Sequence, residues 1–210
     1  MLSTIRLIAI NQMETQKTAD KILTILVKEP FAEHTATSLA RILGITRQGL
    51  WKTLSKLSEK EFISLKSIAD TKKSAVNINL QFSPIAIKML SLLLTKEAMN
   101  NQKWISNFAE LEDKVSFLIL FGSILNNPKE AKDIDLIAIL DNKSKFKQVD
   151  EIIAKIQKTQ AKKIHLIDLT KEEFKEELKK QNKAYIDALK KGVILFGQDN
   201  FIKFIWGLKE

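Results

Sequence analysis

The sequence predicts an α/β (α+β) protein built in two parts, and three observations carry that prediction. Residues 1–83 place three helical patterns ahead of two short alternating strands. Residues 113–210 interleave strand patterns with helical ones, the mark of a mixed sheet with flanking helices. Between them, Ser83-Pro84 opens a long apolar-periodic stretch with a capping serine and a proline at the first helical position.

The bulk numbers fit that division. The chain has 210 residues, 45% hydrophobic and 28% charged, enough for two small cores. Only 6 Gly and 3 Pro are present, which excludes collagen-like and linker-rich chains. The absence of Cys excludes disulfides and thiolate metal sites. The opening MLSTIRLIAINQ has neither the apolar core nor the cleavage site of a signal peptide. The longest apolar runs, around residues 89–94 and 115–121, are too short to span a bilayer. A soluble, cytoplasmic protein is expected.

Formal net charge is +9, and it is uneven. Residues 41–83 hold eight basic side chains (Arg41, Arg47, Lys52, Lys56, Lys60, Lys66, Lys72, Lys73) against Glu59, Glu61 and Asp70. Such a cluster suits a polyanion, through phosphate contacts and counterion release, and it equally suits a solvated lysine-rich surface.

The elements of the first part follow in order. Residues 15–28 carry Ala19, Ile22, Leu23, Ile25, Leu26 and Val27 at helical spacing, stopped by Pro30. A short helix over residues 37–43 starts near Thr37 or Ser38, and Gly44 takes the place of a helix C-terminal glycine. Thr46 caps the next helix, with Leu50, Trp51, Leu54 and Leu57 on one side. Residues 62–68 and 75–82 read as strands around a polar tip at residues 69–74; in the second, Val76, Ile78, Leu80 and Phe82 alternate with Asn77, Asn79 and Gln81. Ala40 allows close helix approach, Gly44 makes the turn and Ile45 plugs the core. Thr46, Arg47, Gln48, Lys52, Ser55 and Lys56 fall on or beside the face that would enter a major groove, with Arg and Gln suited to base edges and the others to phosphates. Lys72 and Lys73 sit at the hairpin tip, and Trp51 is read as core or flank packing, His34 as an incidental surface residue. Residues 15–82 resemble the winged helix-turn-helix domains of prokaryotic transcription regulators. The resemblance implies double-stranded DNA as partner, with Lys72 and Lys73 as a wing on the backbone or minor groove.

A single helix is expected from Pro84 to about Glu110, connecting residues 1–83 to residues 113–210, and its apolar content suits either a homodimer or packing between domains. Strands are then expected over 114–121, 133–140, 162–169 and 193–196, with helices over 147–160, 171–191 and 200–206. Gly122-Ser123 ends the first of these strands before a helix, and its N–H groups and hydroxyl suit a triphosphate. Asp133 and Asp135, two residues apart on a strand, point to one side. Adjacent carboxylates repel unless a cation lies between them, and Mg2+ prefers such oxygen ligands together with substrate phosphates.

Gly122-Ser123 followed by Asp133-x-Asp135 resembles the nucleotidyltransferase superfamily of DNA polymerase beta in its minimal form, over about residues 113–197. The resemblance implies Mg2+ and an NTP as cofactors, Asp133 and Asp135 as metal ligands, Gly122 and Ser123 on the nucleotide, and transfer of an NMP to a hydroxyl. Active members carry a third carboxylate on the neighbouring strand. Here that strand reads Lys163-Ile-His165-Leu-Ile-Asp168, so His165 takes the third position, where it suits a general base, and alternation turns Asp168 away. The basic residue and glycine that often follow Gly-Ser are replaced by Ile124-Leu125-Asn126-Asn127-Pro128. Two readings follow. One is a DNA-binding regulator whose nucleotidyltransferase-like domain binds NTP and Mg2+ and is catalytically degenerate. The other is an active transferase acting on a protein, RNA or small molecule, a class that includes members of toxin–antitoxin pairs.

Overall fold

The α/β (α+β) class is observed in a computed structural model that describes residues 2–67 and 76–209, with side chains from Thr15 onward. The chain divides into two compact units, Met1–Leu90 and Ser91–Glu210.

In the first unit, α1 (Leu2–Lys28), α2 (Ala36–Leu43) and α3 (Arg47–Glu59) precede a hairpin of β1 (Ile63–Ser67) and β2 (Val76–Leu80). Helix α1 begins well before Thr15 because no Gly or Pro interrupts the helix formers ahead of it. Its Ile22, Leu23, Leu26 and Val27 are buried, one stripe at helical spacing. Helix α2 starts earlier than its sequence suggests: Thr35, not Thr37 or Ser38, is the cap. Its hydroxyl accepts the Ser38 N–H at 3.2 Å and the Ser38 hydroxyl accepts the Thr35 N–H at 2.9 Å, a reciprocal capping box. Gly44, at φ 65°, ends α2 in the left-handed region that glycine adopts without strain. Thr46 caps α3 by accepting the Gly49 N–H at 3.1 Å.

Antiparallel pairing sets Ile63 opposite Leu80 and Ser67 opposite Val76. His34 is not a surface residue. Thr35 bridges Asn77 and the His34 carbonyl accepts the Ile78 N–H at 2.9 Å, so the loop lies along β2 and the imidazole is buried. Lys72 and Lys73 lie outside the described residues.

The expected single helix over residues 84–110 is broken. Helix α4 (Pro84–Met99) ends at Asn100-Asn101, followed by α5 (Gln102–Asn107) and a 3-10 turn, Ala109–Leu111. The Asn101 side chain donates to the Glu97 carbonyl at 3.1 Å, and the Asn101 main-chain carbonyl accepts the Trp104 N–H. Asparagine competes in this way with the helix ladder and interrupts it.

The second unit is a four-stranded mixed sheet. Its strands are β3 (Phe117–Phe121), β4 (Asp133–Leu140), β5 (Lys163–Thr170) and β6 (Val193–Phe196), in the order β5-β4-β3-β6. Strand β3 is antiparallel to β4 and β6, and β4 is parallel to β5, the link being α7 (Phe146–Gln157). On one face, Leu118, Leu120, Ile134, Leu136, Ala138 and Leu140 share a core with Trp104, Phe108, Val149 and Ile156. On the other, Phe117 centres an aromatic cluster with Phe174, Phe201 and Phe204, ring centroids 5.5–6.3 Å apart. The helical stretch expected over residues 171–191 is two helices, α8 (Lys171–Lys179) and α9 (Lys183–Lys191). Gln181 turns left-handed between them (φ 56°), and the Asn182 side chain caps α9 through the Ala184 N–H. Helix α10 (Gln198–Gly207) closes the unit. Among the described residues, no helix is long and apolar enough to cross a membrane.

Candidate metal centre and nucleic-acid face

The alternation of β4 builds the metal centre. Its even residues, Ile134 to Leu140, feed the core, so its odd residues share the opposite face. Farther along that face Ile137 and Ile139 are buried, but at the strand's start the same face carries Asp133 and Asp135. Parallel register sets His165 of β5 opposite Asp135, hence on the carboxylate face. The His165 Nδ1 lies 3.4 Å from Asp133 Oδ2 and 3.5 Å from Asp135 Oδ1. One ligand atom from each residue falls within 4.8 Å of the others. The side chains are 28–44% exposed, so the group opens to solvent and a ligand can reach it.

Antiparallel pairing sets Phe121 opposite Asp135, which brings the following Gly122 against the same carboxylate. Gly122 has φ 84° and ψ −165°, a region reserved for glycine, and a Cβ there would collide with the Asp135 carboxyl group. The missing side chain is therefore the space that the carboxylate occupies. Ser123 begins the short α6 (Ser123–Asn126) and is exposed.

The donor set suits a divalent cation. Two carboxylate oxygens and one imidazole nitrogen converge from two strands, and glycine makes room for one carboxylate. Cis ligands of a six-coordinate ion with bonds of about 2.1 Å stand about 3 Å apart, a few tenths below the two His165–carboxylate separations. Asp168 pairs with Ala138, on the opposite face from His165. Burial holds its carboxyl above the usual carboxylate range, with Asp150 and Glu173 adding to the effect.

The second candidate site lies on α3. Leu50, Thr53, Leu54 and Leu57 are buried, one narrow face at 3.6 residues per turn. Arg47, Gln48, Lys52, Ser55 and Lys56 are exposed on the other side, and Thr46 is exposed while its hydroxyl caps the helix. Trp51 is half-buried and stands one turn from both Arg47 and Ser55, a flank position rather than a core one. The steric coupling of Gly122 to Asp135 emerges only from the pairing of β3 with β4. Its signal was a glycine ending a strand beside a motif aspartate.

Residues 103–200, within the second unit, match the family model described as Polymerase beta, Nucleotidyltransferase, so that unit is similar to a nucleotidyltransferase domain. The matched segment includes all four strands of the sheet, with Gly122, Ser123, Asp133, Asp135 and His165. Two solved structures, both of Lactococcus lactis ZitR (a single mutant and a double mutant of that protein), align at 17% identity. Each alignment covers 68% of this chain and 73% of the other, with TM-scores of 0.32 and 0.31. No curated protein matches the chain.

Proposed function

We propose that the protein binds double-stranded DNA through its first unit and a nucleoside triphosphate with a divalent cation through its second. The observation that carries the second half is the convergence of Asp133 and Asp135 beside Gly122-Ser123, inside the matched segment and open to solvent. Asp133 and Asp135 hold the cation. The Gly122-Ser123 amides and the Ser123 hydroxyl take phosphate oxygens, and the cation supplies positive charge against the triphosphate. The direct test is NTP binding by the full chain and its loss in Asp133→Asn/Asp135→Asn.

The DNA half rests on the exposed polar face of α3 and on the charge of residues 41–83. Arg47 and Gln48 have the donor patterns to read base edges, whereas Lys52 and Lys56 suit phosphates. Lys72 and Lys73, between the two strands in sequence, add positive charge for phosphate contacts. Arg47→Ala is expected to blur sequence preference. Lys72→Ala/Lys73→Ala is expected to weaken binding to every duplex and to reduce the slope of log K against log salt by about 0.9 for each phosphate no longer neutralised. Fluorescence anisotropy over a salt series checks both, and unchanged binding in both variants contradicts the assignment. Ile85, Leu92 and Met99, seven residues apart along α4 and exposed, support the pairing of two copies to read two half-sites.

A transferase reading is favoured by the same intact residues, Gly122, Ser123, Asp133 and Asp135. In it a hydroxyl of a protein, RNA or small molecule attacks the α-phosphorus and pyrophosphate leaves. Label appearing on an acceptor from radiolabelled NTP, and absent with Asp133→Asn/Asp135→Asn, is its signature.

A further inference from the structure

We propose that His165 is itself a metal ligand and that it tunes this centre to a first-row transition ion, such as Mn2+, Co2+ or Zn2+, over Mg2+. The inference rests on the reading of Asp133 and Asp135 as cation ligands and adds the identity of the ion they take.

Register places the imidazole where it is. Asp135 and His165 are direct partners across the parallel pair, so no backbone adjustment is needed to bring the ring to the carboxylate face. One nitrogen, Nδ1, lies 3.4 Å from one carboxylate and 3.5 Å from the other. Neither separation is that of a formed N–H···O bond, which runs about 2.7–3.2 Å. Both contacts are within ion-pair range, so the ring nitrogen already faces the space between the two carboxylates. A nitrogen nearly equidistant from two oxygens, close to the spacing of neighbouring ligands around an ion, is where a cation between the carboxylates would meet its third donor.

The chemistry of that donor then decides the ion. Mg2+ demands oxygen ligands in near-ideal octahedral geometry and surrenders its waters reluctantly. An imidazole nitrogen suits borderline transition ions, whose affinities for mixed nitrogen and oxygen sites rise along the series from Mn2+ to Cu2+. A third carboxylate would add negative charge and another hard oxygen, favouring Mg2+. Histidine adds neither. Asp168, the nearest carboxylate on the strand, lies on the other face and cannot substitute.

The test is a calorimetric titration of the full chain with Co2+ and with Mg2+, comparing wild type, His165→Ala and His165→Asp. The His165 side chain is partly exposed, so the variants should fold, and circular dichroism checks that they do. Wild type is expected to bind Co2+ with a visible absorption spectrum indicating nitrogen ligation. His165→Ala should weaken Co2+ about tenfold or more while changing Mg2+ affinity by less than about twofold. His165→Asp should lose the nitrogen signature and lower the Co2+ to Mg2+ affinity ratio by about 100-fold. Both ions bound by all three proteins with the same ratio would overturn the role of His165 and leave the carboxylate reading standing. Failure of wild type and His165→Asp to bind either ion would overturn the carboxylate reading, and this inference with it.

Discussion

Gly122→Ala is expected to reduce cation-dependent NTP binding more than tenfold while the second unit stays folded. The new Cβ enters the space of the Asp135 carboxyl group, which must rotate off the site because β3 and β4 fix both backbones. The backbone adds to this, since φ 84° with ψ −165° is strained for any residue with a side chain, at a cost of about 1–3 kcal/mol. That strain is a fraction of the roughly 5–15 kcal/mol that holds a domain folded, so the fold survives what the site does not. Calorimetry for binding and thermal melting for stability separate the two effects. Wild-type binding in Gly122→Ala would mean that Asp135 has no part in holding the ligand.

The largest stability effect is expected from Phe117→Ala, at about 3–5 kcal/mol, as for other fully buried aromatic residues truncated to alanine. Phe117 is completely buried, and Phe174, Phe201 and Phe204 pack around its ring from α8 and α10. Removing it leaves a void between the sheet and both helices, lined by rigid rings that cannot collapse inward. Urea denaturation followed by far-UV circular dichroism should show a lower midpoint for the transition of this unit. A shift under about 1 kcal/mol would mean that the cluster rearranges to fill the gap.

Much of this arrangement is legible in the sequence. The polar–apolar alternation of Asp133 to Leu136, carried on by strand geometry to Leu140, sets which side chains share a face with the two carboxylates. Gly44 and Thr46 mark the turn between α2 and α3 by chemistry that is local to the chain, a left-handed glycine and a side-chain cap. The offset from His165 to Asp168 is odd, so their opposite faces follow from strand geometry alone.

What the sequence hides depends on partners far along the chain or on rarer backbone choices. His34 sits in a polar stretch, and only its pairing with β2 buries it. The cap of α2 is Thr35 rather than the next threonine, because the reciprocal bond needs Ser38 three positions on. Asn101 and Gln181 break helices whose apolar spacing continues across them, and Gln181 does so in a conformation usually given to glycine. The fit of Asp135 into the space beside Gly122 requires knowing that β3 and β4 pair in the register that sets Phe121 against Asp135.

Calorimetric titration of the full chain decides whether Asp133 and Asp135 together hold a cation for a nucleoside triphosphate. Each of the four NTPs is titrated at saturating Mg2+ and again at saturating Mn2+, into wild type, Asp133→Asn/Asp135→Asn and Asp168→Asn. A cation held by Asp133 and Asp135 predicts cation-dependent binding of at least one NTP to wild type, unchanged in Asp168→Asn and weakened more than about tenfold in the double variant, because the amides remove both charges that hold the ion. Equal binding by wild type and Asp133→Asn/Asp135→Asn, or no cation-dependent binding of any NTP to wild type, would contradict it.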